Sequence, residues 1–445
     1  MKKMIGAVIT CTLVAVIIAG YCRITFILSD KTGYAQKYEY IHDDSPVDVV
    51  FIGSSQIGNA VSPVQLWNSY GMTSYNLSVP NNSLGLDSLI IKNALVYHRF
   101  KVAVIDIDGF ALSEQGIEEK DALEDMVACR AMDGYPLSLT KIRTVCEYTD
   151  DPQKRADILL HFPEYHNRWK NLKDNDLKCR PEINRFRGYI PFFSAVAAEE
   201  DKHGARALPE GGTGDVKDNG YHVFKKELRD VIECCKDNNV KPVIVKIPYN
   251  ASSREKKLYS SAADIADSEH VPYIDMLSER VIDPDSDYND GGQHLNIAGA
   301  VKVTDSIGRY LHKYCSLDDH RQDAGCRSWY RTCDEYVKML TGQLNESKGS
   351  PRSYFMVLSD KMLRSSIKCS RQERMVLNGE YGGLTDGINA EWKTDDGPEN
   401  GEASITVYRT DTGQVVDTFK FSVCGGADGS RAGMEKNNGR VDGDS

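Results

Sequence analysis

The chain runs to 445 residues, 41% of them apolar and 27% charged, with a formal net charge of −11. That length leaves room for more than one domain at roughly 100–200 residues each, and the apolar share is that of a protein with globular cores. The acidic balance argues against a nucleic-acid-binding role, which needs a basic face.

Lys2 and Lys3 precede an apolar run from Met4 to Cys22 that carries no charged residue. About 20 such residues cross the hydrocarbon core of a bilayer, and the flanking lysines favour keeping that end in the cytoplasm. Residues 1–24 are therefore expected to form an uncleaved anchor at the cell membrane, with everything beyond them extracytoplasmic. A cleaved signal peptide would carry a shorter apolar core and a small-residue cleavage site. The run closes on Ile-Ala-Gly-Tyr-Cys, where Tyr21 stands in the place that a lipidation motif gives to a small residue.

Val47–Ile52 reads as a buried strand that breaks into Gly53-Ser54-Ser55-Gln56. A second short apolar segment covers Met72–Ser78, and Ser83–His98 carries Leu and Ile at helical three and four spacing. Lys101–Asp108 is another buried-strand pattern, ending in Asp106 and Asp108, which suit turn capping or a site. Residues 110–221 lack clear strands and are rich in charge and aromatics. They read as a mainly helical insertion, the kind of segment that shapes a site. Lys225–Asn239 reads as a helix, Val240–Pro248 and Val271–Met276 as strands, and Asn296–Tyr314 as a closing amphipathic helix. Short apolar strands alternating with helices predict an α/β domain around a parallel sheet, spanning 25–317. In such sheets ligands gather at the carboxyl ends of the strands.

Beyond Leu317 the pattern changes. Ser328–Gln343 looks like a linking helix, and Tyr354–Leu358 and Ala403–Tyr408 look like strands. Ile405–Phe421 has two strand-like arms around Thr-Asp-Thr-Gly, a hairpin signal. A small β-containing domain is expected over 318–424, and the apolar-poor residues 425–445 are expected to be disordered.

Of the twelve cysteines, Cys11 and Cys22 lie in the apolar run. There is no Cys-x-x-Cys pair and no Cys/His spacing of a zinc site, so no metal or other cofactor is expected. Cys326 and Cys333 suit either a bridge in an oxidising compartment or plain buried thiols.

The chemistry turns on the serines at the strand tip. A serine hydroxyl is a poor nucleophile until a base takes its proton, and the usual base is a histidine oriented by a carboxylate. Asn289-Asp290-Gly291-Gly292-Gln293-His294 supplies both partners in a polar loop, just before the last helix. Asn296 is placed to cap that helix. His294 is then the candidate base and Asp290 its orienter.

Gly53-Ser54-Ser55 after an apolar strand resembles the first block of the SGNH/GDSL hydrolase superfamily, and Asp290 to His294 resembles its last, Asp-x-x-His. The resemblance implies a flavodoxin-like three-layer fold, with Ser55 as nucleophile, His294 as general base and Asp290 as its partner. It also shows departures. Asp290 stands four residues before His294 where the family has three, which leaves Asp287 as a fallback. The second block brings Asn76 and Ser78 but no glycine, and the third block, Gly-x-Asn-Asp, has no copy. The amide of Ser55, with Asn76 and Asn82, is left as candidate oxyanion donor. Tyr165-His166-Asn167-Arg168-Trp169 suits sugar binding through His166, Arg168 and Trp169, or a packed insertion core.

The chain is also similar to membrane-anchored bacterial members that act on cell-envelope polymers, such as proteins of lipoteichoic acid D-alanylation and alginate O-acetylation. That similarity implies ester chemistry on an envelope polysaccharide or teichoic acid, by hydrolysis or by O-acyl transfer. Transfer implies a membrane-bound acyl-donor protein as partner. The alternatives are an inactive scaffold of the same fold and a polysaccharide-binding role for the C-terminal domain.

Overall fold

A computed structural model describes residues 2–28, 31–108, 117–160, 166–172, 186–194, 196–198, 219–251, 253–285, 287–346, 388–394, 400–409, 415–424 and 434–436. The chain opens with helices α1 (Lys2–Leu28) and α2 (Lys31–Ile41). Then come β1 (Val49–Gly53), α3 (Ser55–Ala60), α4 (Pro63–Tyr70), β2 (Ser74–Ser78), α5 (Leu84–Ala94) and β3 (Val102–Asp106). The insertion contributes α6 (Ile117–Met132), α7 (Leu139–Tyr148), α8 (Pro152–Leu160) and a 3₁₀ turn at His166–Asn171. The domain resumes with α9 (Asn219–Asp237), β4 (Lys241–Lys246), α10 (Ser253–Ser268), β5 (Tyr273–Asp275) and α11 (Ile297–Tyr314). Two short 3₁₀ turns lead into α12 (Arg327–Glu346).

The first five strands form one parallel sheet in the order β2-β1-β3-β4-β5. This is the flavodoxin-like order, in which the chain reverses direction between β1 and β3, and the carboxyl end of β1 opens onto the crevice at that switch point. Both faces of the sheet are covered, which is why its inner strands read as continuous apolar runs. Val50 and Ile52 pack with Ile90 and Ile91 of α5, Leu228 and Ile232 of α9 and Ile265 of α10. Val49 and Phe51, pointing the other way, pack with Ile57 of α3, Leu66 of α4 and Val303, Ile307 and Leu311 of α11. Each such buried side chain contributes about 1.5–3 kcal/mol. On the outside of the second helical layer, Trp67 of α4 stacks on Trp329 of α12, with ring centroids 5.0 Å apart.

Among the described residues no helix is long and apolar enough to cross a membrane. The side chains of α1 are described without a break only over 5–17, and there all are exposed, Val8, Leu13, Val16 and Ile17 among them.

Farther on, β6 (Ile388–Thr394), β7 (Asn400–Arg409), β8 (Val415–Cys424) and β9 (Met434–Lys436) form a four-stranded antiparallel sheet. The two arms of the expected hairpin are β7 and β8, with Ile405 opposite Phe419. The reading of 425–445 as wholly disordered is corrected at β9, which pairs Met434 with Phe421. A three-residue strand needs backbone partners rather than apolar composition, so an average over the tail hides it. The expected strand Tyr354–Leu358 lies outside the described residues. Cys326 and Cys333 are both buried, and Cys333 Sγ donates to Asn68 Oδ1 at 3.8 Å.

Candidate active site

The turn after β1 explains its own sequence. Gly53 has φ +153°, and a Cβ there would lie 2.9 Å from Cβ of Asp106 on the neighbouring strand, so no side chain fits. Ser54 is buried and caps α3. Its Oγ accepts the Gln56 amide at 3.1 Å and donates to Asp108 Oδ2 at 2.6 Å. Ser55 is the first residue of α3 and is half-buried. A helix leaves its first amides without intrahelical acceptors, so the Ser55 N–H belongs to that unpaired set. The two hydroxyls therefore divide. Ser54 builds the turn, and Ser55 Oγ meets His294 Nε2 at 2.9 Å.

The loop that delivers His294 is closed by an antiparallel bridge between Tyr288 and Leu295. The Asn289 amide donates to the His294 carbonyl at 2.8 Å across it. At Gly292, φ +141°, a Cβ would lie 2.5 Å from Cβ of Asn250, so the loop can press against that neighbour only with glycine there. Asn296 fixes the exit. Its Oδ1 accepts the Ala298 and Gly299 amides, and its Nδ2 donates to the carbonyls of Ser194 and Tyr288.

Asp290 is bound on both oxygens. Oδ1 accepts the amides of Gln293 at 3.0 Å and His294 at 2.9 Å, and Oδ2 meets His294 Nδ1 at 2.5 Å. An ionised carboxylate only accepts, so Nδ1 carries the proton and Nε2 faces Ser55 with its lone pair. Burial pushes the Asp290 carboxyl up, but the hydrogen bonds from the His294 ring and amide and from Gln293 outweigh it and hold it below the usual carboxylate range. A carboxyl depressed in this way keeps its contribution above its unfolded-state value and loses it only as pH falls through the folded one. The Asp290–His294 pair is thus intact at neutral pH. The Phe192 ring meets the imidazole edge-on, with centroids 5.7 Å apart.

The fallback orienter is excluded by its own partners. Asp287 is fully buried, and its Oδ2 accepts the Asp283 amide and the Lys302 ammonium, each at 2.7 Å. It holds the base of the loop.

Under the serine turn lies a buried charge network. Lys246, at the end of β4, has no exposed surface. Its Nζ reaches Gln56 Oε1 at 2.8 Å, Asp108 Oδ1 at 3.1 Å and Asp106 Oδ1 at 3.5 Å. Tyr249 and Tyr259 lay their rings over it, with centroids 4.6 and 5.0 Å away. Burial pushes the Asp106 carboxyl up to about 6 against the pull of Lys246. Removing one partner of such a buried pair costs about 3–5 kcal/mol, and Lys246→Met is expected to lower stability by that order at neutral pH. Asp106 binds a proton more tightly folded than unfolded, so the loss should shrink as pH falls through its folded value. Chemical denaturation at acid and neutral pH measures both; a loss independent of pH would contradict it.

The other residues singled out from sequence fall elsewhere. Asn76 is fully buried, with Nδ2 donating to the Val61 carbonyl at 2.8 Å, and Asn82 Nδ2 donates to Asp87 Oδ1 at 2.5 Å. Each bond uses one N–H of the amide and ties the side chain to the β2 edge or the loop that follows it. Trp169 is 63% exposed on its 3₁₀ turn. The side chains of His166 and Arg168 lie outside the described residues. Lys246 was the residue sequence reading passed over, although a lysine between Val245 and Ile247 in an apolar strand is the kind of signal that marks a buried charge.

A doubly wound parallel sheet with a Ser–His–Asp chain at the carboxyl end of its first strand defines an α/β protein with the geometry of an activated serine. No protein-family model matches the chain, and no curated protein matches it. Among solved structures, a Bacteroides fragilis NCTC 9343 protein described as an acylhydrolase aligns over 63% of this chain and 94% of its own, at 12% identity and TM-score 0.32. A GDSL-like lipase from Bacteroides thetaiotaomicron VPI-5482 aligns over 63% and 99%, at 12% identity and TM-score 0.30. Likeness at that level says nothing of chemistry, which rests on the site itself.

Proposed function

We propose that the protein is a serine esterase or O-acyltransferase of SGNH type. The observation that carries this reading is the continuous chain from Ser55 Oγ through His294 to Asp290, at 2.9 and 2.5 Å. Ser55 Oγ attacks the carbonyl carbon of an acyl ester while its proton passes to His294 Nε2. Asp290 stabilises the imidazolium and holds its tautomer. The Ser55 amide faces the developing oxyanion, a contact worth about 3–4 kcal/mol of barrier. Collapse expels the alcohol, which takes the proton from Nε2, and leaves Ser55 acylated. Water then gives hydrolysis, and a polymer hydroxyl gives transfer. No metal or organic cofactor takes part in this sequence.

The uncharged run Met4–Cys22 of the sequence supports attachment to a membrane, with the Ser55 site on the extracytoplasmic side. The sequence similarity to envelope-modifying proteins supports an acylated polysaccharide or teichoic acid as substrate and, for transfer, a membrane-bound acyl donor.

A second reading, a catalytically inactive scaffold of the same fold, is favoured by the commitment of the Asn76 and Asn82 amides to structural bonds. One experiment separates the two. Full-length protein kept in detergent is treated with a fluorophosphonate probe and, in parallel, with short-chain acyl esters. Covalent labelling with release of alcohol is the expected result. Folded protein that neither labels nor turns over would establish the scaffold.

A further inference from the structure

We infer that His320, Asp323 and Cys326 form a binding site for a divalent cation with the ligand preferences of zinc, at the end of the sheet opposite Ser55. The three residues follow the pattern His-x-x-Asp-x-x-Cys, with His320 opening one 3₁₀ turn (His320–Gln322), Cys326 closing the next (Ala324–Cys326) and Asp323 the extended residue that joins them. The Asp323 amide donates to the His320 carbonyl and the Cys326 amide to the Asp323 carbonyl, both at 3.0 Å. The imidazole, carboxylate and thiol converge there, and their ligand atoms all lie within 4.8 Å of one another.

The donor set suits that ion. Nitrogen, sulfur and carboxylate oxygen are the ligands zinc takes, at about 2.0–2.3 Å, often with a fourth position left to water. His320 and Cys326 are buried, whereas the Asp323 side chain is 54% exposed. The Asp323 carboxylate, now 2.7 Å from His320 Nδ1, can swing outward to admit the ion and leave a wet fourth position. Binding releases the protons of Nδ1 and of the thiol to solvent, and the proton on Nε2 stays.

The outer partner is also in place. His320 Nε2 lies 2.9 Å from Oδ2 of Asp48, a buried residue directly before β1. Metal-bound histidines commonly donate their second nitrogen to a carboxylate, which fixes the tautomer and makes the ring a better ligand. Asp48 suits this role better than direct ligation, because Lys101 Nζ already stands 3.2 Å from it and 2.6 Å from Asp318. A cation between Asp48 and Asp318 would compete with that ammonium. The site would clip the crossing from α11 to α12 onto the start of β1. The pattern escapes a search for paired Cys and His because its middle ligand is a carboxylate.

Cobalt substitution tests this. Full-length protein in detergent is stripped with a chelator and titrated with Co²⁺. The expected spectrum has a near-ultraviolet thiolate-to-cobalt charge-transfer band with the visible bands of a tetrahedral ion. Zn²⁺ should bleach it and raise Tm. Cys326→Ser should lose the charge-transfer band, and Cys315→Ser should keep it. Asp48→Asn should weaken binding by about 10–100-fold while the band persists at saturation. Folded wild-type protein that shows no such band, or a band unchanged in Cys326→Ser, would overturn the site and leave His320 as an imidazolium bridging two carboxylates. None of these readouts depends on the chemistry of Ser55.

Discussion

Ser55→Ala is expected to abolish fluorophosphonate labelling and to lower kcat by about 10⁴–10⁶-fold, the range seen when a serine nucleophile is removed. Ser54→Ala should keep the label. The two serines are adjacent, and a nucleophile assigned by sequence alone could fall on either. Their hydrogen bonds separate them. Ser54 is buried, caps α3 through the Gln56 amide and donates to Asp108, so its hydroxyl has no route to a substrate. Ser55 Oγ has the imidazole of His294 beside it. Losing the cap should cost about 1 kcal/mol of stability. The Ser54→Ala protein should therefore melt earlier and turn over more slowly, because the turn that carries Ser55 loosens, yet it should still acylate. The reverse outcome, labelling lost with Ser54 and kept with Ser55, would overturn the assignment.

The centre of the sheet was legible because Val49–Ile52 and Val102–Ile105, buried on both faces, are unbroken apolar runs that end at Gly53 and Asp106. The closing helix was legible because Asn296 caps it and its apolar residues recur at helical spacing. The short helix α3 was not, since Gln56, Gly58 and Asn59 carry no helical pattern and the segment is held by the Ser54 cap and by burial. Gly58 shows why pattern fails there: a Cβ on it would lie 2.4 Å from Ser78 Oγ, so its identity is set by a neighbouring strand. A serine at a strand tip and an Asp/His pair before the last helix are legible as residue types, and the choice of Ser55 over Ser54 follows from the family resemblance. Block position places Asn76 and Asn82 near the site but does not say where their amides point, and each spends an N–H on a structural bond. Asp287 and Asp290 could not be ranked from spacing either. That ranking needed Lys302, which lies on the helix beyond the loop and takes Asp287 for itself.

The same ranking yields the second large effect. Asp290→Asn is expected to lower kcat by about 10⁴-fold at neutral pH with little change in Tm. The asparagine carbonyl can still accept the amides of Gln293 and His294, so the loop should hold its shape. Its NH₂ group, however, donates where the carboxylate accepted. Facing that donor, Nδ1 must present a lone pair, which moves the ring proton to Nε2. Nε2 then donates toward Ser55 and can no longer take its proton. Asp287→Asn should do the opposite. It weakens the bond to Lys302, whose side chain is 23% exposed and can turn to water. A loss of about 1–3 kcal/mol in stability is expected, with kcat nearly unchanged in the fraction that remains folded. Steady-state kinetics beside thermal melts of the two variants read both effects. A kcat collapse in Asp287→Asn with Asp290→Asn still active would reassign the orienter. A small effect in both would mean that His294 works without a carboxylate partner, and the bond at Nδ1 would then be structural only.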